Sequence, residues 1–336
     1  MLSSDLLLLL IITIALLFDV TNGIHDSANA IATVISTKVL SPPVAVLMAA
    51  VLNFAGAFIG TKVAHTIGGG IVNPDLVTGC QSIILAALLG AISWNLFTWR
   101  LGLPSSSSHA LIGGLIGATI NYRGWGVLHW HNIIDKIIIP LFASPIAGFI
   151  GGYLLMLLIT AIFKNANPRK SSKTFRRLQI LSSGFMATSH GMNDAQKTMG
   201  IITLALYSFN HLSVMTIPTW VKLASATAMF IGTATGGWRI IKTMGHGIFR
   251  MEPIHGFAAE TASATVITTA SYFGAPISTT HAITSSVMGV GASKRFSAVR
   301  WDTVNKIVFA WIVTIPAAAL TTAFLFEIIR WLHLVK

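Results

Sequence analysis

The sequence predicts an all-α polytopic membrane protein, built as an inverted-topology repeat with broken helices and paired re-entrant helical hairpins. Three observations predict it. Of 336 residues, 54% are hydrophobic and only 10% charged, with a mean hydropathy of +0.75; a soluble domain carries about a quarter charged residues. Apolar runs long enough for a hydrocarbon core of about 30 Å recur along the chain. Two polar motifs occur twice, in the same order and at nearly the same spacing. Such a composition excludes a soluble globular enzyme, a disordered tail and a collagen-like fibre.

The apolar runs fall at about 5–20 continuing to 36, then 44–66, 77–99, 107–121 and 137–163. After a polar break they recur at about 178–205, 214–238, 257–273, 276–291 and 306–332. The 107–121 and 276–291 runs are short for full crossings and read as legs of re-entrant hairpins. The break, 164–177, holds six basic residues and no acidic one, which makes it a cytoplasmic linker by the positive-inside rule. It divides a first repeat, 1–163, from a second, 178–336. Two further basic stretches, Arg239 to Arg250 and Lys294 to Lys306, belong on the same side. Each half then has an odd number of crossings, so similar halves lie upside down to each other and the N-terminus lies outside. No basic residue precedes the first run, so no cleaved signal peptide is expected.

The net charge of +12 is spread between apolar runs, which reads as topology and not as a nucleic-acid surface. The one cysteine, Cys80, leaves no intrachain disulfide or thiolate metal site. No cofactor and no resident metal are expected. Trp94, Trp99, Trp125, Trp130, Trp220, Trp238 and Trp301 fall near run ends as interfacial anchors.

The first motif is Gly23-Ile24-His25-Asp26-Ser27-Ala28-Asn29, which returns as Gly191-Met192-Asn193-Asp194-Ala195-Gln196-Lys197, 168 residues later. An Asp at the centre of a membrane helix costs about 2.5–3.5 kcal/mol on insertion scales. The competing reading is an Asp that only fixes helix packing, and a pair in matching positions makes that the weaker one. Asn22, Asp26 and Asn29 share one helix face. Carboxylate and amide oxygens suit a hard cation or a proton, so Asp26, Asn29, Asn22, Asp194, Asn193 and the neighbouring His25 are the candidate coupling-ion residues. Lys197 stands where the first copy has Asn29; its ammonium can fill the place of a cation beside Asp194, or pair with an anion. Glu260, in the run that opens the second hairpin, is a further proton or ion candidate, against the plainer reading of a helix-end carboxylate in water.

The second motif is Pro104-Ser105-Ser106-Ser107-Ser108-His109, matched by Pro276-Ile277-Ser278-Thr279-Thr280-His281, 172 residues later. Pro marks a first helical position. A helix N-terminus carries free N–H groups and about half a positive charge, and so binds anions. Ser105, Ser106, Ser107, Ser108, Ser278, Thr279 and Thr280 therefore form a candidate site for a tetrahedral oxyanion. His109 and His281 are read as each fixing its half-helix through a hydrogen bond. Inverted repeats with broken helices belong to secondary transporters. An intramembrane Ser/His/Asp hydrolase is the reading from another class; it has no reason to duplicate its parts, and no G-x-S-x-G elbow surrounds these serines.

These residues resemble the inorganic phosphate transporter (PiT) family, with its duplicated Gly-x-Asn-Asp-x-x-Asn motif and paired Pro-x-Ser hairpins. The resemblance implies an inverted-repeat carrier that imports inorganic phosphate by cation symport, with coupling ions at the Asp motifs and phosphate at the hairpin tips. His25 and Lys197 depart from the motif, and Asn53 stands where sodium-coupled eukaryotic members have Glu. Those departures resemble the bacterial branch, in which the coupling ion is the proton and the cargo a neutral metal–phosphate complex. Sodium coupling and a sulfate permease of the same family are the alternatives. The implied setting is the lipid bilayer of a bacterial inner membrane, crossed many times, with a second copy of the chain as a candidate partner.

Overall fold

The computed structural model describes residues 3–78 and 80–332. Their regular elements are helical, apart from an isolated bridge between Val72 and Leu128. The first half runs α1 (Ser4–Ser36), α2 (Pro42–Gly56), α3 (Lys62–Gly69), α4 (Pro74–Thr78), α5 (Ser82–Leu101), α6 (Ser107–Arg123), α7 (Trp130–Ile133), a π turn and α8 (Ile139–Ile162). The second half runs α9 (Pro168–Ser208), α10 (Thr219–Thr235), α11 (Trp238–His246), α12 (Pro253–Tyr272), α13 (Thr279–Lys294) and α14 (Trp301–Trp331).

Each half thus presents a long helix, a broken helix, a hairpin and a closing helix. The halves interlock. α10 of the second half packs on α1, and α2 of the first packs on α9. α14 covers α6, and α8 covers α13. The Asp-motif glycines permit the first pair of contacts. A Cβ on Gly23 would lie 2.8 Å from the backbone nitrogen of Thr233, and one on Gly191 would strike the Asn53 backbone. Small residues at such points let two helix backbones touch.

The broken helices are held in trans. The 44–66 run is split at residues 57–61, and the restart of α3 is satisfied from α9: Gln196 Oε1 accepts the N–H groups of Val63 (2.9 Å) and Ala64 (3.2 Å). The matching break before α11 is satisfied from α1, where Ser27 Oγ accepts Gly237 N–H at 2.7 Å. Orphan N–H groups at a helix start need such partners. So a residue one position after Asp26 and one two positions after Asp194 each cap the broken helix of the opposite half.

The basic linker is shorter than its charge suggests. Asn167 caps α9, its Oδ1 accepting from Arg169 N–H at 3.0 Å and Lys170 N–H at 3.4 Å, and Pro168 takes the first helical position. Residues 168–177 are therefore helix, and the turn between halves is only 163–167. An Asn-Pro pair is a helix-start signal that outweighs the charge run.

Among the described residues, four helices are long and apolar enough to cross a membrane: Ser4–Ser36, Ser82–Leu101, Trp130–Ile162 and Trp301–Trp331. The other expected runs are divided into shorter helices or, as in α9, diluted by polar residues. Outward faces are apolar. Phe142, Ile146, Ile150 and Leu154 on α8, and Phe309, Ile312, Leu320 and Phe324 on α14, are all exposed, as a surface facing lipid requires. Trp94 turns inward to donate to Thr314 Oγ1 at 3.2 Å, unlike Trp125, Trp130, Trp220 and Trp238, which stay exposed.

Candidate functional site

Both hairpins turn alike. α5 ends at Gly102 (φ 66) and α12 is followed by Gly274 (φ 72), left-handed positions that suit glycine. The chain then runs extended past Pro104 and Pro276 before the next helix. Pro was expected at the first helical position. Instead the N-caps are Ser106 and Ser278, two residues further on, whose hydroxyls accept the N–H of His109 (3.2 Å) and of His281 (3.1 Å). A Ser hydroxyl reaching N3 is a strong cap and sets the start. These two hydroxyls therefore build the hairpin tips. The helix starts they form leave the N–H groups of Ser107, Ser108, Thr279 and Thr280 outside the intrahelical ladder.

The two tips meet. Ser108 Oγ donates to Ile277 O at 3.1 Å, and the rings of His109 and His281 lie 4.9 Å apart, with His281 stacked on Trp311 at 3.9 Å. Neither His281 nitrogen and not His109 Nδ1 has a hydrogen-bond partner. For His281 the expectation that the ring fixes its half-helix by a hydrogen bond is corrected: it acts by packing on Trp311 and His109.

Both Asp motifs are brought to these tips. From α1, Asn29 Nδ2 donates to Thr279 Oγ1 (3.2 Å) and Thr280 Oγ1 (3.0 Å), while Thr280 Oγ1 donates to Asp26 Oδ1 at 3.4 Å. His25 Nδ1 lies 2.6 Å from Asp26 Oδ1, and its Nε2 reaches Thr98 Oγ1 (3.2 Å) and Ser105 Oγ (3.3 Å). From α9, Lys197 Nζ lies 2.6 Å from Asp194 Oδ1 and also donates to Ser108 Oγ. His190 Nε2 stands 3.5 Å from Asp194 Oδ2, and its Nδ1 meets Asn53 Oδ1 at 3.1 Å. All these side chains are buried. Asp26 and Asn29 of the α1 motif thus serve the second hairpin and Lys197 of the α9 motif the first, while His25 reaches the first hairpin as well. Each acid has a basic partner, and the basic groups in turn touch the serines. Asp26, His190 and Asp194 each offer one ligand atom, all within 4.8 Å of one another, a spacing that could hold a metal ion.

Two expected site residues lie elsewhere. Asn193 donates to Ser271 Oγ (2.8 Å) and Ala275 O (3.3 Å), tying α9 to the second hairpin, because one helical step turns it about 100° from Asp194. Glu260 is neither in water nor beside the Asp pair. It is fully buried and accepts from Thr33 Oγ1, Gln179 Nε2 and Ser182 Oγ. Gln179 is fifteen residues before Asp194, about 22 Å of helix. Asn22 is buried on the expected face, with neither amide atom partnered. The sequence reading passed over Asp19, which is wholly buried on α1. Its signal was there: an acid inside the first apolar run, seven residues before Asp26.

A profile of the phosphate transporter family matches residues 22–322, the stretch that holds both copies of both motifs. The chain belongs to the phosphate transporter family. Among its relatives, the probable low-affinity inorganic phosphate transporter of Bacillus subtilis is 48% identical over 97% of this chain and 98% of that protein. A probable low-affinity inorganic phosphate transporter of Rhizobium meliloti is 47% identical over 94% and 95%, and a putative phosphate permease of Thermococcus kodakarensis 31% over 91% and 94%. A solved structure described as the sodium-dependent phosphate transporter superposes with a TM-score of 0.88, at 23% identity, covering 97% of this chain and 99% of that one. That likeness speaks for the fold. For this phosphate transporter family member, relatives named as transporters point to a non-enzymatic role. The hydrolase reading fits less well still when Ser106 and Ser278 are helix caps.

Proposed function

We propose that the protein is a symporter that imports inorganic phosphate across a bacterial inner membrane, coupled to protons and carrying phosphate as a neutral complex with a divalent metal. The observation that carries the proton reading is Lys197. Its ammonium stands 2.6 Å from Asp194 and on the Ser108 hydroxyl, where a sodium ion bridging the acid to the substrate site would otherwise have to lie. The phosphate site in this reading is the space between the α6 and α13 starts, with Ser105, Ser107, Ser108, Thr279 and Thr280 as hydroxyl donors and Lys197 as counter-charge. The metal travels as cargo, and the mixed carboxylate and imidazole set of Asp26, His190 and Asp194 suits such an ion.

Charge arithmetic supports symport. Moving one charge across 100 mV is worth about 2.3 kcal/mol. Phosphate carries about −1.5 to −2 near neutrality, so entry into an inside-negative cell costs about 3.5–4.6 kcal/mol per 100 mV. At least two positive charges must accompany it, and a bound divalent metal supplies them at once. The interlocked order of the halves supports an inverted repeat, and the α5–α6 and α12–α13 hairpins support re-entrant legs that rock about the central site.

The sodium-coupled alternative draws on the name of the structural neighbour. The test is radiolabelled phosphate uptake into proteoliposomes under an imposed proton gradient without sodium. Uptake that collapses with a protonophore is the expected result. Uptake that needs sodium overturns the reading of Lys197, and uptake of sulfate in place of phosphate overturns the substrate.

A further inference from the structure

Three of the interior carboxylates described above have partners. Asp26 has His25 at 2.6 Å, Asp194 has Lys197 at 2.6 Å, and Glu260 accepts from three side chains. Asp19 has none. It is 0% exposed, and neither carboxylate oxygen has a hydrogen-bond partner. Around it stand groups in the same condition. Asn22, one turn further along α1, has both amide atoms buried and unpartnered, and Thr198 Oγ1 on α9 is likewise unpartnered. Asn22 and Thr198 are the polar side chains beside Asp19, and Asp194 and Lys197 are the charged groups acting on it. The ammonium of Lys197 is already committed to Asp194 and Ser108. The other helices packed along this part of α1 bring no closer charge. α5 carries only Arg100, exposed at its far end, and α10 carries only Lys222. Lys222 is ten residues, about 15 Å of helix, before the Gly232 that touches Val20. α11 carries Arg239, Lys242 and, at its far end, His246, and lies from Ile24 onward, past Asp19.

A buried ionised carboxylate with only the neutral groups of Asn22 and Thr198 beside it and no counter-charge in contact is not tenable in a membrane interior. Asp19 must therefore carry a positive charge of its own whenever it is enclosed. The groups beside it are chemically apt for one: two carboxylate oxygens, an amide oxygen and a hydroxyl, all hard oxygen ligands, none of them with a partner outside this group. The charge is also removable, because no side chain supplies it.

We propose that Asp19, flanked by Asn22 and Thr198, binds one exchangeable monovalent cation, a proton or an alkali ion, that moves with the substrate. The site lies two turns along α1 from Asp26, on the α9 side, and Thr198 directly follows Lys197. Occupancy of Asp19 is thus communicated to the substrate site through one residue of helix. The proposal rests on the transporter reading above and adds a cation place to Asp26 and Asp194, each of which already has a basic side chain of the protein at 2.6 Å.

The experiment compares reconstituted wild type, Asp19→Asn and Thr198→Val for two activities: exchange of labelled phosphate at equilibrium, and accumulation driven by a proton or a sodium gradient. The gradient that drives the wild type names the cation. Asp19→Asn, which mimics the permanently neutral side chain, loses accumulation under that gradient. Thr198→Val keeps accumulation but shifts its cation dependence: an alkali ion, deprived of one oxygen ligand, is needed at about tenfold higher concentration for half-maximal uptake, whereas in the proton case the half-maximal pH rises by about one unit, because the lost hydroxyl had favoured the charged carboxylate. Accumulation by Asp19→Asn equal to wild type overturns the site. So does an unchanged cation dependence in Thr198→Val, which remains decisive if Asp19→Asn fails to fold. A wild type that exchanges no phosphate overturns the transport reading instead.

Discussion

Removing the ammonium of Lys197 tests the centre of the site most directly. Lys197 and Asp194 are both wholly buried, 2.6 Å apart and three residues apart on α9. Lys197→Met keeps an unbranched side chain one atom shorter and deletes its charge. Asp194 is then left with His190 at 3.5 Å as its only basic neighbour, and Ser108 loses its donor. Breaking one side of a buried ion pair costs about 3–5 kcal/mol, whereas replacing both charges by neutral groups is often close to neutral. Lys197→Met should therefore lose about 3–5 kcal/mol of folding stability, the Lys197→Met/Asp194→Asn pair much less, and the cycle should show a coupling of at least about 2 kcal/mol. Reversible unfolding in mixed micelles by a denaturing detergent measures all four corners. Phosphate uptake should be absent from the double variant in spite of its recovered stability. A single variant that loses under about 1 kcal/mol, or a double variant as unstable as the sum of the singles, refutes the idea that the ammonium is held there as Asp194's counter-charge.

Asp26→Asn and Asp194→Asn should each abolish gradient-driven uptake at normal expression, and normal uptake in either would remove that acid from the site. Ser106→Ala and Ser278→Ala should each cost about 1 kcal/mol as lost caps and raise the half-saturation concentration for phosphate, with Ser106→Thr restoring both; an unchanged affinity in the alanine variants would separate the helix starts from the substrate. Glu260→Leu should be severely destabilised, because the donors of Thr33, Gln179 and Ser182 are stranded at about 1–3 kcal/mol each, while Glu260→Gln keeps an acceptor and loses less. Equal stability of the two would mean that the cluster contributes nothing to packing.

Composition and periodicity determined that this chain is helical and apolar outside, since a surface of Phe, Ile and Leu on α8 and α14 has no other solvent than lipid. Duplication of the two motifs determined the pairing of halves, and a run of hydroxyls after Gly and Pro marked where two helices would start. The start itself was misplaced by three residues, at Pro104 and Pro276 where the helices begin at Ser107 and Thr279, because the choice depends on which group reaches a free N–H, and that is a matter of geometry. Which motif serves which hairpin could not be read from spacing at all. Asn29 meets Thr279 and Thr280 across 250 and 251 residues, and Lys197 meets Ser108 across 89, because the halves interlock through glycine contacts that leave no trace in local pattern. The same is true of Ser27 and Gln196, whose caps on α11 and α3 look like ordinary small or polar residues in sequence. Glu260 and Asp19 mark the limit most sharply. Both are acids in apolar runs and look alike in one dimension; only tertiary packing decides that one accepts hydrogen bonds from Thr33, Gln179 and Ser182 while the other has just Asn22 and Thr198 beside it.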